Sequence, residues 1–492
     1  MISIDWLIFK GSTLIPRTGN GLKDFFKTVF YLYLYVNRLA TMKLLQDYAA
    51  PLSKLLKDQR LREGESYRLM HYVVRQPVDD GLLLYNVLTK AVVLLSADEA
   101  RNMEADPASV PELVSKWFAV PVGHDDRKLA RQVRAIGKAM EKPSKSIKSY
   151  TILTTTDCNA RCFYCYEKGR SRIPMSDGTA EAAARYIIRN SLDEKVGIRW
   201  FGGEPLYNKR VISLICKRLR EAGKEYASSM VSNGFLFDDA TVKEAVDDWK
   251  LKKVQITLDG TEPVYNKVKN FIYPEENAFR RVLGNIHTLV DAGVRVNIRL
   301  NMDRHNADDL FSLVDMLGED FKGNPLVRVY SHSLFEACTS ESAVLHSDSQ
   351  RKELSDRRKD LQAKFYDLGL SDPGKLGKSL KFNRCMADSD FCVVILPDGH
   401  IGKCEHFSDS EWFAHVSEEG RDEKVLAAFK ELRPELDACA ECPVYPDCFR
   451  LSKCEEAVHC YPEEREEKLA GIRRQLLFFY GNQGENGLKR SD

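Results

Sequence analysis

Residues 149–169 read SYTILTTTDCNARCFYCYEKG. The opening run, Ser149 to Thr155, is apolar and β-branched and predicts a strand. It passes directly into a short loop that carries Cys158, Cys162 and Cys165 in a Cys-x3-Cys-x2-Cys spacing. A loop this tight can point three thiolates at one inorganic centre, and thiolates are the soft ligands that select iron–sulfur or zinc. Three ligands rather than four is the informative number, because a four-iron cluster so held leaves one iron open to a substrate or cofactor. The competing readings are a zinc knuckle and three unrelated core thiols. Zinc normally takes four ligands, and the loop contains no histidine.

Downstream of the loop, strand and helix patterns alternate. VGIRWF (196–201), SSMVS (228–232), KVQITL (253–258), VRVNIRL (294–300) and LVRVYS (326–331) are further strand candidates. Helical stretches fall between them at 178–190, 209–222, 238–249, 279–292 and 308–317. Such alternation predicts an α/β fold with parallel strands and right-handed crossovers. Six strands fall short of an eight-stranded barrel, so residues 149–340 are read as a partial (β/α)6 barrel with its chemistry at the C-terminal strand ends.

Upstream, residues 67–145 read as a separate small module. Two apolar runs, LLLYNVL and AVVLL, flank a turn at Thr89-Lys90, which predicts a hairpin. Ser96 with Glu99 is a capping-box pattern that opens a helix, and helical stretches follow at 111–118 and 126–140. The pattern suits a winged-helix-like unit, or equally a structural cap. Residues 1–66 carry no function we can assign; FFKTVFYLYLYVNRLATMKLLQDY (25–48) reads as a docking helix or as chain upstream of a later start at Met42.

With 492 residues, about three to five domains are expected and no staple is needed to hold a core. Lys plus Arg number 73 against 72 Asp plus Glu, a net charge of +1, which argues against a global grip on nucleic acid or lipid. No signal peptide is visible. The longest apolar run, Val29–Val36, is far shorter than the roughly 18 residues that suggest a membrane span. A reducing, cytoplasmic setting is the expectation, where the clustered members of the 13 cysteines bind metal rather than form disulfides.

A second cysteine group occupies residues 383–462, after a charged helical bridge (341–382) and before a C-terminal helix (463–492). Cys385, Cys392, Cys404, Cys439, Cys442, Cys448, Cys454 and Cys460 lie in a stretch with little apolar periodicity. Eight thiolates divide into two four-ligand sites, and two zinc sites are the alternative to two iron–sulfur clusters. Cys216, on an apolar helix face, and Cys338, after a strand, are read as core thiols.

The three-cysteine loop, with Tyr164 before its last cysteine, resembles the cluster loop of radical S-adenosylmethionine enzymes. Gly202-Gly203-Glu204-Pro205 after the second strand, Ser232-Asn233-Gly234 after the third and Thr257-Leu258-Asp259-Gly260 after the fourth match further positions of that family. The resemblance implies S-adenosylmethionine as cofactor and a [4Fe-4S] cluster on Cys158, Cys162 and Cys165. It implies cofactor contacts from Tyr164, Gly202, Gly203, Glu204, Ser232 and Thr257, with the glycines giving the cofactor room to approach. Where relatives often carry an arginine for the cofactor carboxylate, this chain has Lys269, which keeps the charge and loses the fork; Arg299 is the substitute candidate.

Residues 383–462 resemble the SPASM extension of the same superfamily, which carries two auxiliary [4Fe-4S] clusters, for three in all. That resemblance assigns Cys385, Cys404 and Cys454 to one cluster, with Cys392 as its doubtful fourth ligand, and Cys439, Cys442, Cys448 and Cys460 to the other. Relatives place a cysteine where this chain has Ser452. Enzymes of this layout mostly modify peptides, and residues 67–145 resemble the leader-binding module of ribosomal-peptide maturases. The expected function is therefore an intramolecular cross-link in a precursor peptide, a thioether ahead of a carbon–carbon bond, with an external donor such as flavodoxin or ferredoxin and Glu405 as base. The alternatives are a formylglycine-forming sulfatase-maturing enzyme and a non-catalytic iron–sulfur or zinc protein that binds peptides.

Overall fold

The computed structural model describes residues 42–47, 60–140, 146–165, 167–193, 195–273, 276–334, 347–380, 385–407, 411–454 and 460–488. Cys338 and the stretch before Met42 lie outside them. The chain divides into two units: one runs to Leu129 and includes Gly377–Ser379, and the other takes the rest.

In the first unit, β1 (Lys43–Gln46), β2 (Tyr67–Leu69), β3 (Val73–Val78), β4 (Gly81–Asn86), β5 (Val92–Leu95) and β6 (Ala119–Pro121) form two antiparallel sheets. The larger has the order β1-β5-β4-β3, and the smaller pairs β2 with β6. The β4–β5 reversal is made by buried Asn86, whose side-chain oxygen accepts the Leu88 and Thr89 N–H groups, and by Lys90 at φ 62°. Asn tolerates this role because its short amide mimics a backbone turn. Helix α1 (Ala97–Ala105) opens on the expected Ser96–Glu99 capping box, and α2 (Pro111–Ser115) follows. Their apolar faces join Leu84, Val93, Leu95 and Phe118 in one core. The division between units falls inside α3 (Asp126–Met140), earlier than the sequence pattern suggested.

The second unit is built on parallel strands β7 (Ser149–Leu153), β8 (Lys195–Phe201), β9 (Glu225–Ser232), β10 (Leu251–Thr257), β11 (Arg295–Met302) and β12 (Val327–Ser333). Between them run α4 (Asp177–Asn190), α5 (Lys209–Glu221), α6 (Asp239–Asp247), α7 (Glu262–Lys269), α8 (Ala278–Asp291) and α9 (Ala307–Phe321). Each strand alternates. Val196, Ile198 and Trp200 of β8 are buried in the helix-side core, while Gly197, Arg199 and Phe201 take the inner face. This is a mixed α/β fold with the parallel sheet of a partial barrel.

Two features were not anticipated. The sheet has nine strands rather than six, because β13 (Cys392–Ile395) pairs parallel to β7, and β14 (His400–Gly402) and β15 (Trp412–His415) continue antiparallel. These strands are three or four residues long and sit among cysteines, too short to register as a periodic pattern. Helix α7 was also missed, since it follows Gly260 with Pro263 in its first turn and reads as a loop. Beyond them lie α10 (Asp348–Asp367), α11 (Glu423–Ala428) and α12 (Pro462–Leu488). No helix among the described residues is long and apolar enough to cross a membrane.

Candidate active site

The cysteine loop leaves the C-terminal end of β7 and is sewn to the end of β8. Gly203 N–H donates to Thr155 O at 3.0 Å and Glu204 N–H to Asp157 O at 2.9 Å. A Cβ on Gly202, at φ 127°, would stand 2.1 Å from Thr155 O, and one on Gly203 2.3 Å from Asp157 O. The glycine pair is thus demanded first by the loop's own backbone, a closer neighbour than the expected cofactor.

Glu204 is fully buried. Ser232 Oγ donates to its carboxylate at 2.9 and 3.1 Å, Asn233 N–H at 2.8 Å and Leu206 N–H at 3.1 Å. Burial nonetheless pushes its pKa up to about 7 against these bonds. Such a carboxylate would be stabilised by a cation. Asn233 also donates to Asn159 Oδ1 at 2.7 Å and approaches Cys158 Sγ at 3.7 Å, so the strand-three motif touches the loop directly.

Tyr164, Asp259 and Lys269 form a closed group beneath the loop. Tyr164 Oη donates to Asp259 Oδ2 at 2.6 Å, and Lys269 Nζ lies 2.9 Å from each of them. Lys269 is 3% exposed and Asp259 1%. The Lys269 carbonyl accepts Arg161 N–H at 2.8 Å. Lys269 therefore holds the loop through both ends of the residue, and its charge is already matched. Arg299, half-buried on β11, donates to Asn301 Oδ1 at 2.8 Å and faces Thr257 and Tyr330 in register. Asp259 and Asn233 carry more of this site than motif reading assigned; the signal was present in TLDG and SNG, where only the flanking residues were singled out.

The three thiols of the loop are half-buried and electrostatically coupled. Burial, then the Glu204 charge, raises Cys158 to about 12; burial raises Cys165 to about 11 and also pushes the Cys162 thiol up. Thiols in such surroundings ionise when a metal centre supplies positive charge, so the donor set fits an iron–sulfur cluster. Among the described residues, no three His, Cys, Asp or Glu close around a single metal ion.

The C-terminal cysteines fall into two groups. Cys385 and Cys454 act on the Cys404 thiol, which burial chiefly raises to about 12, and Cys404 and Cys454 pack on the same small core of Ala387, Phe429 and Leu451. Cys439, Cys442, Cys448 and Cys460 line a cavity of about 410 Å³, with Arg433, Arg450, Arg465 and Lys468 among its walls. A cavity walled by four thiols and basic side chains fits an anionic thiolate-ligated cluster. Cys392 opens β13, opposite Ser149, its carbonyl accepting Nζ of Lys403, the residue before Cys404, at 2.6 Å. Glu405 begins a single helical turn, Glu405–Phe407, whose His406 carbonyl accepts Arg170 Nη2 at 2.9 Å from the chain just after the cysteine loop. Cys216 is fully buried in the core on α5.

Comparison with known proteins places residues 152–317 on the Radical SAM superfamily model. The GTP 3′,8-cyclase of Clostridium perfringens (strain 13 / Type A) is 24% identical over 278 residues, 54% of this chain and 83% of its own length. The Fe-coproporphyrin III synthase of Methanosarcina barkeri is 26% identical over 203 residues, 41% of this chain and 47% of its own. Among solved structures, native anSMEcpe with bound AdoMet and Cp18Cys peptide is similar with a TM-score of 0.53 at 15% identity, covering 69% of this chain and 99% of its own. At that identity the likeness is one of fold.

Proposed function

We propose that this chain, a radical SAM superfamily enzyme, is a peptide maturase that forms an intramolecular cross-link in a ribosomally made precursor. The observation that carries the reading is the sorting of the C-terminal cysteines into two groups beyond the three-cysteine loop. Cys158, Cys162 and Cys165 would hold the cluster that binds S-adenosylmethionine. Cys385, Cys404 and Cys454 would hold one auxiliary cluster, and Cys439, Cys442, Cys448 and Cys460 the other. With S-adenosylmethionine bound, the first centre supplies a hydrogen-abstracting radical.

The residues of the site then have distinct tasks. Glu204 meets the cofactor's ammonium, with Ser232 and Asn233 holding its carboxylate in place. Thr257, at the end of β10, and Arg299, opposite it within β11, present polar groups side by side. Tyr164, Asp259 and Lys269 position the loop, so Lys269 reaches a cofactor carboxylate only in competition with Asp259. With Cys392 outside the ligand set, the three thiols of Cys385, Cys404 and Cys454 would leave a place for a substrate thiolate. That asymmetry puts a thioether ahead of carbon–carbon closure. Glu405, next to Cys404 in sequence, would take the proton.

The first unit is assigned to the leader. Among the described residues β3 pairs only with β4, and an open strand edge binds an extended peptide through main-chain hydrogen bonds. An external one-electron donor of the flavodoxin or ferredoxin type completes the system.

A second reading, formylglycine formation in a sulfatase, is favoured by the fold shared with anSMEcpe, whose structure carries a bound peptide. The test is anaerobic reaction of the iron-loaded enzyme with reductant, S-adenosylmethionine and a leader-bearing, cysteine-containing peptide, followed by mass spectrometry. Deoxyadenosine release with loss of two hydrogens, no aldehyde, and fragmentation that shows two residues joined supports the cross-link. Conversion of a cysteine or serine to an aldehyde would establish the second reading, and turnover of GTP, the curated relative's substrate by name, would displace both.

A further inference from the structure

The inner face of the partial barrel begins with an unbalanced row of positive charge. One register row crosses four adjacent strands: Arg199 of β8 is opposite Ser229 of β9, Ser229 opposite Lys253 of β10, and Lys253 opposite Arg295 of β11. Arg328 of β12 stands opposite Asn297, two residues further along β11. Lys253, Arg295, Asn297 and Arg328 line one cavity of about 500 Å³, together with Ser371 and Asp372. Lys253 lies four residues before Thr257, or about 13 Å along the strand, at the opposite strand ends from the cysteine loop.

Like charges directly opposite one another on neighbouring strands are destabilising. Here nothing on the sheet offsets them. Burial and then the charges of Arg199 and Arg295 lower the Lys253 pKa. Glu225 is the only acidic residue in β8–β12, and it faces Lys195 at the strand start. Arg328 Nε reaches no more than Ser371 Oγ at 3.4 Å. Asp372 is exposed, and its carboxylate accepts Gly374 N–H at 2.6 Å. Higher on the same face the field keeps its sign: burial, then Arg299 and Arg358, hold His332 down to about 3.

We infer that the floor of the partial barrel is an oxyanion-binding site, built for a multiply charged phosphate or carboxylate group. Two guanidinium forks suit either anion bidentately, the Lys253 ammonium adds a point charge, and the Asn297 amide adds a donor. The assignment goes beyond the maturase reading and does not depend on it, because the site is tested by binding rather than turnover.

Full-length, iron-loaded protein is titrated anaerobically with inorganic pyrophosphate and, separately, with triglutamate, at an ionic strength held constant by chloride. Saturable binding with a rise in unfolding temperature is expected for at least one probe. Lys253→Gln and Arg295→Gln should each weaken it by about tenfold, the worth of one charge-assisted hydrogen bond. Response to pyrophosphate alone identifies a phosphate ligand, and response to triglutamate alone a carboxylate. Arg295→Glu guards against misfolding, since it sets a carboxylate opposite Lys253 and should keep or raise stability while abolishing the response. Absence of saturable binding by either probe, or binding undiminished in both glutamine variants, would overturn the site.

Discussion

Replacing Glu204 by glutamine separates the two things this residue does. Its oxygens take one backbone N–H each, Leu206 on Oε1 and Asn233 on Oε2, and share the Ser232 hydroxyl. Whichever oxygen becomes an amide NH2 therefore meets a backbone donor, and one N–H is stranded. A buried unsatisfied donor costs about 1–3 kcal/mol. The variant is at the same time relieved of a buried charge, the cause of the pKa near 7. These terms oppose, so unfolding should shift by only a few degrees. Binding of S-adenosylmethionine has no such offset: a hydrogen bond to a charged group is worth about 1.5–3 kcal/mol, or roughly 10–150-fold in Kd. The assay is anaerobic calorimetry on iron-loaded protein, with metal content and unfolding temperature as controls. A Kd within twofold of wild type, in a folded and iron-replete variant, would mean that Glu204 only stitches the end of β8 to the end of β9.

Three further outcomes are expected. Cys158→Ala, Cys162→Ala and Cys165→Ala together should abolish deoxyadenosine formation while leaving about eight of twelve irons bound, counted by colorimetric analysis. Truncation before Ala130 should spare uncoupled cleavage of S-adenosylmethionine but strongly reduce modification of a leader-bearing peptide, because tethering raises its effective concentration; undiminished product from a folded truncation would remove the recognition role. Burial raises the Asp126 pKa, but hydrogen bonds from His124, Arg68 and the His71 N–H bring it to about 2, below its ordinary 3.8. A depressed carboxylate stabilises the fold above pH 4 and loses that contribution as pH falls toward 2, so Asp126→Asn should cost about 1–2 kcal/mol at pH 6 and flatten the acid limb of the unfolding curve.

The order of the barrel strands and the position of the cysteine loop were legible because long, alternating, β-branched runs separated by amphipathic helices leave few other arrangements. β10 is an example: KVQITL was read directly, and its Thr257 stands at the strand end as expected. What escaped was either short or non-local. β13 is four residues long, and its place beside β7 depends on a pairing across more than two hundred residues. The Tyr164–Asp259–Lys269 group joins a loop, a strand end and a helix end, so no window of sequence contains it. The charge row on the barrel floor escaped for the same reason. Arg199, Lys253 and Arg295 each look like a solvated residue within its own strand, and only the register between strands makes them neighbours.

The site residues are committed to the fold before they are committed to a cofactor, and this sets the order in which variants should fail. Gly202 and Gly203 admit the Thr155 and Asp157 carbonyls, so alanine there displaces the loop. The Lys269 carbonyl holds the Arg161 N–H, and its ammonium answers a buried carboxylate. Removing the ammonium strands Asp259 as an unpaired buried charge, the costly half of breaking such a pair. Lys269→Met should therefore reduce metal content along with S-adenosylmethionine affinity, whereas Glu204→Gln should reduce affinity alone. The contrast follows from what each group touches: Glu204 is bonded to the strand ends, and Lys269 to the residues on which the three thiols are mounted.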